Sequence, residues 1–212
     1  MSQSPYTPQK KIITGLVGDL EILVNSPKQA DEKAIPYAAI CHPHPLHGGT
    51  MNNKVVYMIA STFNALGVGT VCFNFRGVGK SAGKFDDGFG ETEDLRVVVD
   101  WLKKEYSPSE LWLAGFSFGG YIALNGDRDM NASRLLLVAP AVERLEFGLQ
   151  LNEKPTLVIM GDKDEIISPS TVSEWAATQI HQPQLHWMAE AGHFFHGKLN
   201  ELREVILTAW RV

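Results

Sequence analysis

From residue 36 onward, short apolar runs take turns with longer amphipathic segments, and this alternation restricts the fold more than any other feature. The runs at 36–42, 69–75, 111–116, 134–139, 156–161 and 184–189 are rich in Val, Ile, Leu and aromatic residues. Segments 54–66, 92–105, 118–125, 169–179 and 198–211 read as helices. Within 92–105, Leu95, Val98, Val99 and Leu102 recur at helical spacing and mark one buried stripe. Strand and helix in alternation predict the α/β class, with a mostly parallel, twisted sheet of about seven or eight strands and helices on both faces. The run 111–116 is apolar throughout, as a central strand covered on both sides must be. Two earlier runs, 11–17 and 20–25, are separated only by Gly18 and Asp19, which predicts an N-terminal antiparallel hairpin. Residues 1–10 are polar and contain proline; they are expected to form a flexible lead to a single domain over 11–212.

A chain of 212 residues suits one domain with one core. Its net charge of −5, with no basic block, counts against nucleic-acid binding, which needs clustered Lys and Arg. No apolar run approaches the ~18–20 residues that span a bilayer, so no membrane partner is expected. The first residues lack the apolar core of a signal peptide. Cys41 and Cys72 lie inside strand-like runs and read as reduced core thiols, which points to the cytoplasm.

In sheets of this kind ligands bind at the carboxyl ends of the strands, so the residues just after each strand matter most. Gly115-Phe116-Ser117-Phe118-Gly119 follows one strand and opens a helix, the setting a nucleophile elbow requires. The serine must sit on a sharp turn to project its hydroxyl, and the flanking glycines remove side chains that would collide there. The N–H of Phe118, at the helix start, would then face a developing oxyanion. A serine also needs a base, and the base an orienting acid. Asp162, Asp164 and Glu165 follow the strand 156–161, and His193 and His196 follow the strand 184–189, so acid and base come in the order this scaffold uses. The second oxyanion N–H should come from the loop after 36–42; Pro43 and Pro45 have none, which leaves His44 or Leu46.

Two other motifs compete. His42, His44 and His47 resemble part of a metallo-β-lactamase zinc site, but Leu46 stands where that pattern has an acid. Gly77-Val78-Gly79-Lys80-Ser81 ends like a phosphate-binding loop, but Asn74 replaces the required glycine and no helix follows. Arg76 is instead expected to pair with Glu91 or Asp94 and hold its loop against the helix 92–105. His181 and His186 read as surface or core residues.

The segments 41–49, 74–81, 115–120, 161–164 and 192–195 together resemble the α/β-hydrolase fold serine hydrolases. The likeness is greatest to small, lidless bacterial members with a C-H-P-H-P-x-x-G-G segment, related in size to dienelactone hydrolases. The resemblance implies Asp164, which fits the Gly-x-x-Asp pattern, and His193, directly after Gly192, as partners of Ser117. It implies the backbone N–H groups of Phe118 and His44 as oxyanion donors. Dienelactone hydrolases carry Cys at the elbow, so their substrate does not transfer to a chain with Ser117. The connection between 139 and 156 is too short for a helical cap, and the site is expected to be open or only partly covered by 141–154. Phe116, Phe118, Phe194 and Phe195 flank the catalytic positions as pocket or core residues. The expected activity is hydrolysis of a small carboxylic ester or thioester without cofactor or metal. The expected partner is a small acyl substrate, and the expected state a monomer or homodimer. An amidase or peptidase on the same triad is the nearest alternative. A ligand-binding protein on a hydrolase scaffold is the rival from another class, although such proteins usually lose part of the triad.

Overall fold

The computed structural model describes residues 6–27, 34–145 and 149–210. Eight strands form one sheet: β1 (Tyr6–Gly15), β2 (Gly18–Pro27), β3 (Tyr37–Cys41), β4 (Gly69–Phe73), β5 (Leu111–Phe116), β6 (Arg134–Val138), β7 (Thr156–Gly161) and β8 (Gln184–Met188). Their spatial order is β1-β2-β4-β3-β5-β6-β7-β8. The pairs β1–β2 and β2–β4 are antiparallel, and every other pair is parallel. The helices are α1 (Lys54–Ala65), α2 (Phe89–Tyr106), α3 (Phe118–Met130), α4 (Pro169–Ala177) and α5 (Leu199–Trp210). The pair α1 and α5 and the pair α2 and α3 cover the two faces of the sheet. The strands β3, β4, β5 and β7 are buried at every residue, which is why they read as continuous apolar runs. Among the described residues no helix is long and apolar enough to cross a membrane.

The hairpin is present, but its turn lies two residues earlier than the sequence suggests. Gly15 pairs with Gly18, and Leu16 and Val17 form the loop. Gly18 supplies the positive φ of 123° that the turn needs. Leu16 and Val17 are exposed, so apolar character there belongs to the turn and not to the strand. A methyl group on Gly83 would touch the Val17 side chain, so Val17 covers the loop after β4. The strand β1 begins at Tyr6, and residues 6–10 therefore belong to the sheet, paired with the end of β2, and not to a lead. Residues 1–5 of the expected lead, Arg211 of the expected last helix, and 146–148 of the expected partial cover lie outside the described residues.

The helix α2 starts three residues before the periodic stripe suggests, because Glu91 caps it. Its carboxylate accepts from the N–H of Asp86 and from that of Gly88. Arg76 pairs with Asp94 and not with Glu91: Nη2 lies 2.8 Å from Oδ1, and Nε lies 3.1 Å from Oδ2. Both side chains are buried, and Asp94 raises the pKa of Arg76 further. This fixes the loop after β4 to α2, so the Gly-Lys-Ser stretch serves a structural turn.

The chain runs from β3 to β4 on one side and then returns across β3 to β5 on the other. A crevice opens at the carboxyl ends of β3 and β5, where the strand order reverses. The segments ending in His44 and Ser117 both emerge there.

Candidate active site

Ser117 joins β5 to α3 with φ 56° and ψ −120°. A non-glycine residue in that region carries on the order of 1–3 kcal/mol of strain unless its surroundings enforce it. Here they do. The Ser117 N–H donates to the Val138 carbonyl (2.9 Å), and its own carbonyl accepts from Gly120 (2.8 Å) and Ala141 (3.2 Å). The elbow glycines are required by space: a methyl on Gly115 would strike the Gly119 carbonyl, and one on Gly119 would strike the carbonyls of Cys41 and His42. The start of α3 is thereby pressed against the end of β3. The N–H groups of Phe118 and His44 make no hydrogen bond among the described residues, and both residues border the same cleft as Ser117.

The loop carrying His44 is fixed by His42. That ring is fully buried, its Nε2 accepts from the Phe75 N–H (3.1 Å), and its Nδ1 therefore carries the proton donated to the Pro43 carbonyl (2.6 Å). Burial pushes the His42 pKa down to about 4, which keeps the ring neutral. With both nitrogens occupied, His42 clamps β4 to the loop and is unsuited to ligate a metal together with His44 and His47.

Opposite the elbow, the turns after β7 and β8 bring Asp164 and His193 beside Ser117. His193 Nε2 lies 3.0 Å from Ser117 Oγ, and Nδ1 lies 2.8 Å from Asp164 Oδ2. The other Asp164 oxygen accepts from the N–H of Ile166 (2.9 Å) and of Ile167 (2.8 Å). Asp164 is thus held in one orientation, with one oxygen left for the histidine. Ser117, Asp164 and His193 are all buried. Asp162 is exposed and makes no such contact, and His196 lies in the turn before α5, away from this chain of hydrogen bonds.

Glu165 has a role that its exposure conceals. Its Oε2 accepts from the His193 backbone N–H at 3.1 Å, and a side chain on Gly192 would collide with that oxygen. In the sequence Glu165 is only one of three acids after the strand 156–161, and this contact, across 28 residues of chain, is not legible there. The Gly192 next to His193 was the available signal.

The resulting cleft has a volume of about 460 Å³. Phe118, Ile166, Ile167 and Phe194 line it together with His44 and Arg144. Phe116 and Phe195 are buried core residues. A second cavity of about 430 Å³ lies between α1 and β2, bordered by Met51, Tyr57 and Ser61. Ser61 there donates to the Met58 carbonyl of its own helix. Between β6 and β7 the described residues form only a short turn, Val142–Arg144, in place of a cap.

The family model described as serine aminopeptidase, S33, matches residues 44–152. An α/β serine hydrolase without lid from Xanthomonas campestris is 41% identical, with 95% of this chain and 93% of that chain covered and a TM-score of 0.89. An α-β serine hydrolase homologue from Coxiella burnetii is 44% identical, with 94% and 96% covered and a TM-score of 0.89. An uncharacterized protein from Rickettsia prowazekii is 35% identical over 183 residues, which is 81% of this chain and 76% of that protein. Sequence likeness over nearly the whole length and a matching eight-stranded sheet agree with the elbow and its partners: the chain belongs to the α/β-hydrolase fold serine hydrolases.

Proposed function

We propose that this protein is a cytoplasmic, cofactor-independent hydrolase of small carboxylic esters or thioesters, acting through an acyl-enzyme on Ser117. The observation that carries this reading is the unbroken chain from Ser117 Oγ through His193 to Asp164, at 3.0 Å and 2.8 Å, beneath a serine in a forced backbone conformation. Ser117 Oγ attacks the acyl carbonyl as His193 Nε2 takes its proton. Asp164 holds the imidazole in the tautomer that leaves Nε2 free to accept, then stabilises the cation that forms. The N–H groups of Phe118 and His44 hold the tetrahedral oxyanion. Collapse breaks the bond to the leaving oxygen or sulfur, which departs with the proton from His193. A water molecule then loses a proton to His193 and attacks the acyl-enzyme. The carboxylic acid leaves, and Ser117 recovers its proton. The two free, buried thiols support a reducing compartment.

The test is mass-spectrometric labelling with a fluorophosphonate, followed by a panel of 4-nitrophenyl esters, thioesters and an aminoacyl 4-nitroanilide. The expected result is one adduct at Ser117, absent in Ser117→Ala and strongly slowed in His193→Ala, with esters or thioesters turned over faster than the anilide. No adduct on folded protein would overturn the reading in favour of a binding protein. A faster anilide would replace the ester assignment with an amidase.

A further inference from the structure

The cleft has two chemically different walls. The residues that follow the acid and the base, Ile166, Ile167 and Phe194, are apolar. The wall beside the oxyanion donors carries His44 and Arg144. Arg144 lies over the Phe118 ring, with its guanidinium carbon 5.4 Å from the ring centroid, and its side chain is 34% exposed. Its Nη1 is anchored to Asp87 at 3.0 Å, while Nη2 lies 3.5 Å from His44 Nε2. The tautomer of His44 decides what that last approach means. His44 Nδ1 accepts from the Leu46 N–H at 3.2 Å, and a neutral imidazole accepts at only one nitrogen. The shorter contact, from Leu46, places the proton on Nε2, so Arg144 Nη2 and His44 Nε2 are adjacent donors at the cleft wall, close enough for one carboxylate in the cleft to accept from both. Burial, with His47 and Arg144 nearby, lowers the His44 pKa and keeps that ring neutral near neutral pH, so Arg144 supplies the charge. Glu143, the carboxylate among the cleft residues, is exposed and makes no hydrogen bond to either donor.

The leaving group must lie within reach of His193, which protonates it, and so against the apolar wall. The acyl chain then runs the other way, past Phe118 toward Arg144 and His44. We infer that the acyl part of the substrate ends in a carboxylate that lies in the cleft and accepts from both the Arg144 guanidinium and His44 Nε2–H, so that the preferred substrates are half-esters of dicarboxylic acids with an apolar alcohol. This rests on the serine hydrolase reading above. Attack by Ser117 would release the alcohol, and water would then release the dicarboxylic acid, with no further reactant. Planar pairing of a guanidinium with a carboxylate, shared with a neutral N–H, is a strong and directional recognition mode.

The experiment compares 4-nitrophenyl half-esters of succinate, glutarate and adipate with the butanoate, valerate and hexanoate esters of equal or similar length. The quantity read is the ratio of kcat/KM for the best acid to that for its uncharged partner. The ratio should exceed one in the wild type and fall about 10- to 100-fold in Arg144→Gln, the range for one charge-assisted hydrogen-bonding partner. Arg144→Lys should recover part of the loss, because an ammonium keeps the charge without the planar fork. Fluorophosphonate labelling of Ser117 in every variant reports an intact site. Labelled protein whose ratio is below one, or is unchanged in Arg144→Gln, would overturn the carboxylate seat and leave the hydrolase reading standing. Folded wild type that does not label would overturn both.

Discussion

The two halves of the candidate site are held by different means. The nucleophile half lies at the middle of the sheet, where β3 and β5 each have a paired strand on both sides. Its geometry comes from backbone packed against backbone, with glycines where any side chain would collide, and from a buried histidine that ties β4 to the loop after β3. The acid–base half lies toward one edge, after β7 and β8, and β8 is only partly buried. There the backbone has fewer neighbours, and carboxylates take over: Asp164 accepts two N–H groups of its own loop, and Glu165 spans to the His193 N–H. Close packing tolerates little change in volume, whereas a single hydrogen bond contributes a net of about 1 kcal/mol. Substitutions in the first half should therefore disturb folding and activity together, and those in the second should disturb activity with little loss of stability.

The largest expected effect is that of Asp164→Asn. The amide retains most of the volume but favours the wrong imidazole tautomer, and kcat on a 4-nitrophenyl ester should fall about ten-thousand-fold. Thermal unfolding should shift by only a few degrees. A large drop in Tm would show that the edge half is as tightly coupled to folding as the centre.

Next in size is the pH dependence of stability that His42 confers. Its pKa is about 4 in the folded protein against an ordinary 6.5, so the unfolded chain takes up a proton first as pH falls. The stabilising contribution is complete above pH 6.5 and is lost progressively as pH falls toward 4. Its full size is roughly 3 kcal/mol. Urea unfolding at about pH 7 and about pH 4.5 should show this loss in the wild type and a shallower one in His42→Gln. Equal slopes would remove His42 from the clamp.

Gly119→Ala should destabilise by about 1–3 kcal/mol, because a methyl group must displace the end of β3. Ser117 labelling should slow in the same variant. Full activity at unchanged Tm would break the steric account of the central half. The smallest effect belongs to Glu165→Ala, expected to lower kcat/KM by about tenfold with Tm nearly unchanged. Glu165→Gln keeps an acceptor for the His193 N–H and should restore most of the rate. Failure of that rescue would mean that Glu165 acts by its charge and not by positioning.

Much of this was legible along the chain because it follows from neighbours in sequence. Full burial makes β3, β5 and β7 continuous apolar runs, helical spacing marks α2, and a serine between glycines at a strand–helix junction marks the elbow. The order of Ser117, the acids after β7 and the histidines after β8 followed from strand positions alone. Choosing Asp164 and His193 among neighbouring acids and histidines took a family resemblance, and the hydrogen bonds agree with that choice. What the chain did not reveal was decided by partners distant in sequence. Leu16 and Val17 look like strand residues until the hairpin register places them in a turn. Residues 6–10 look like a lead until β2 pairs with them. Glu165 is one exposed acid among several until β8 brings His193 to it, and Arg144 is one surface cation until α3 and the His44 loop, 100 residues away in sequence, come beside it. Periodicity and turn chemistry act over a few residues and can be read locally. A hydrogen bond between segments far apart exists only after the sheet has assembled, so the sequence specified the candidate catalytic groups and the tertiary structure determined which side chains hold them in place.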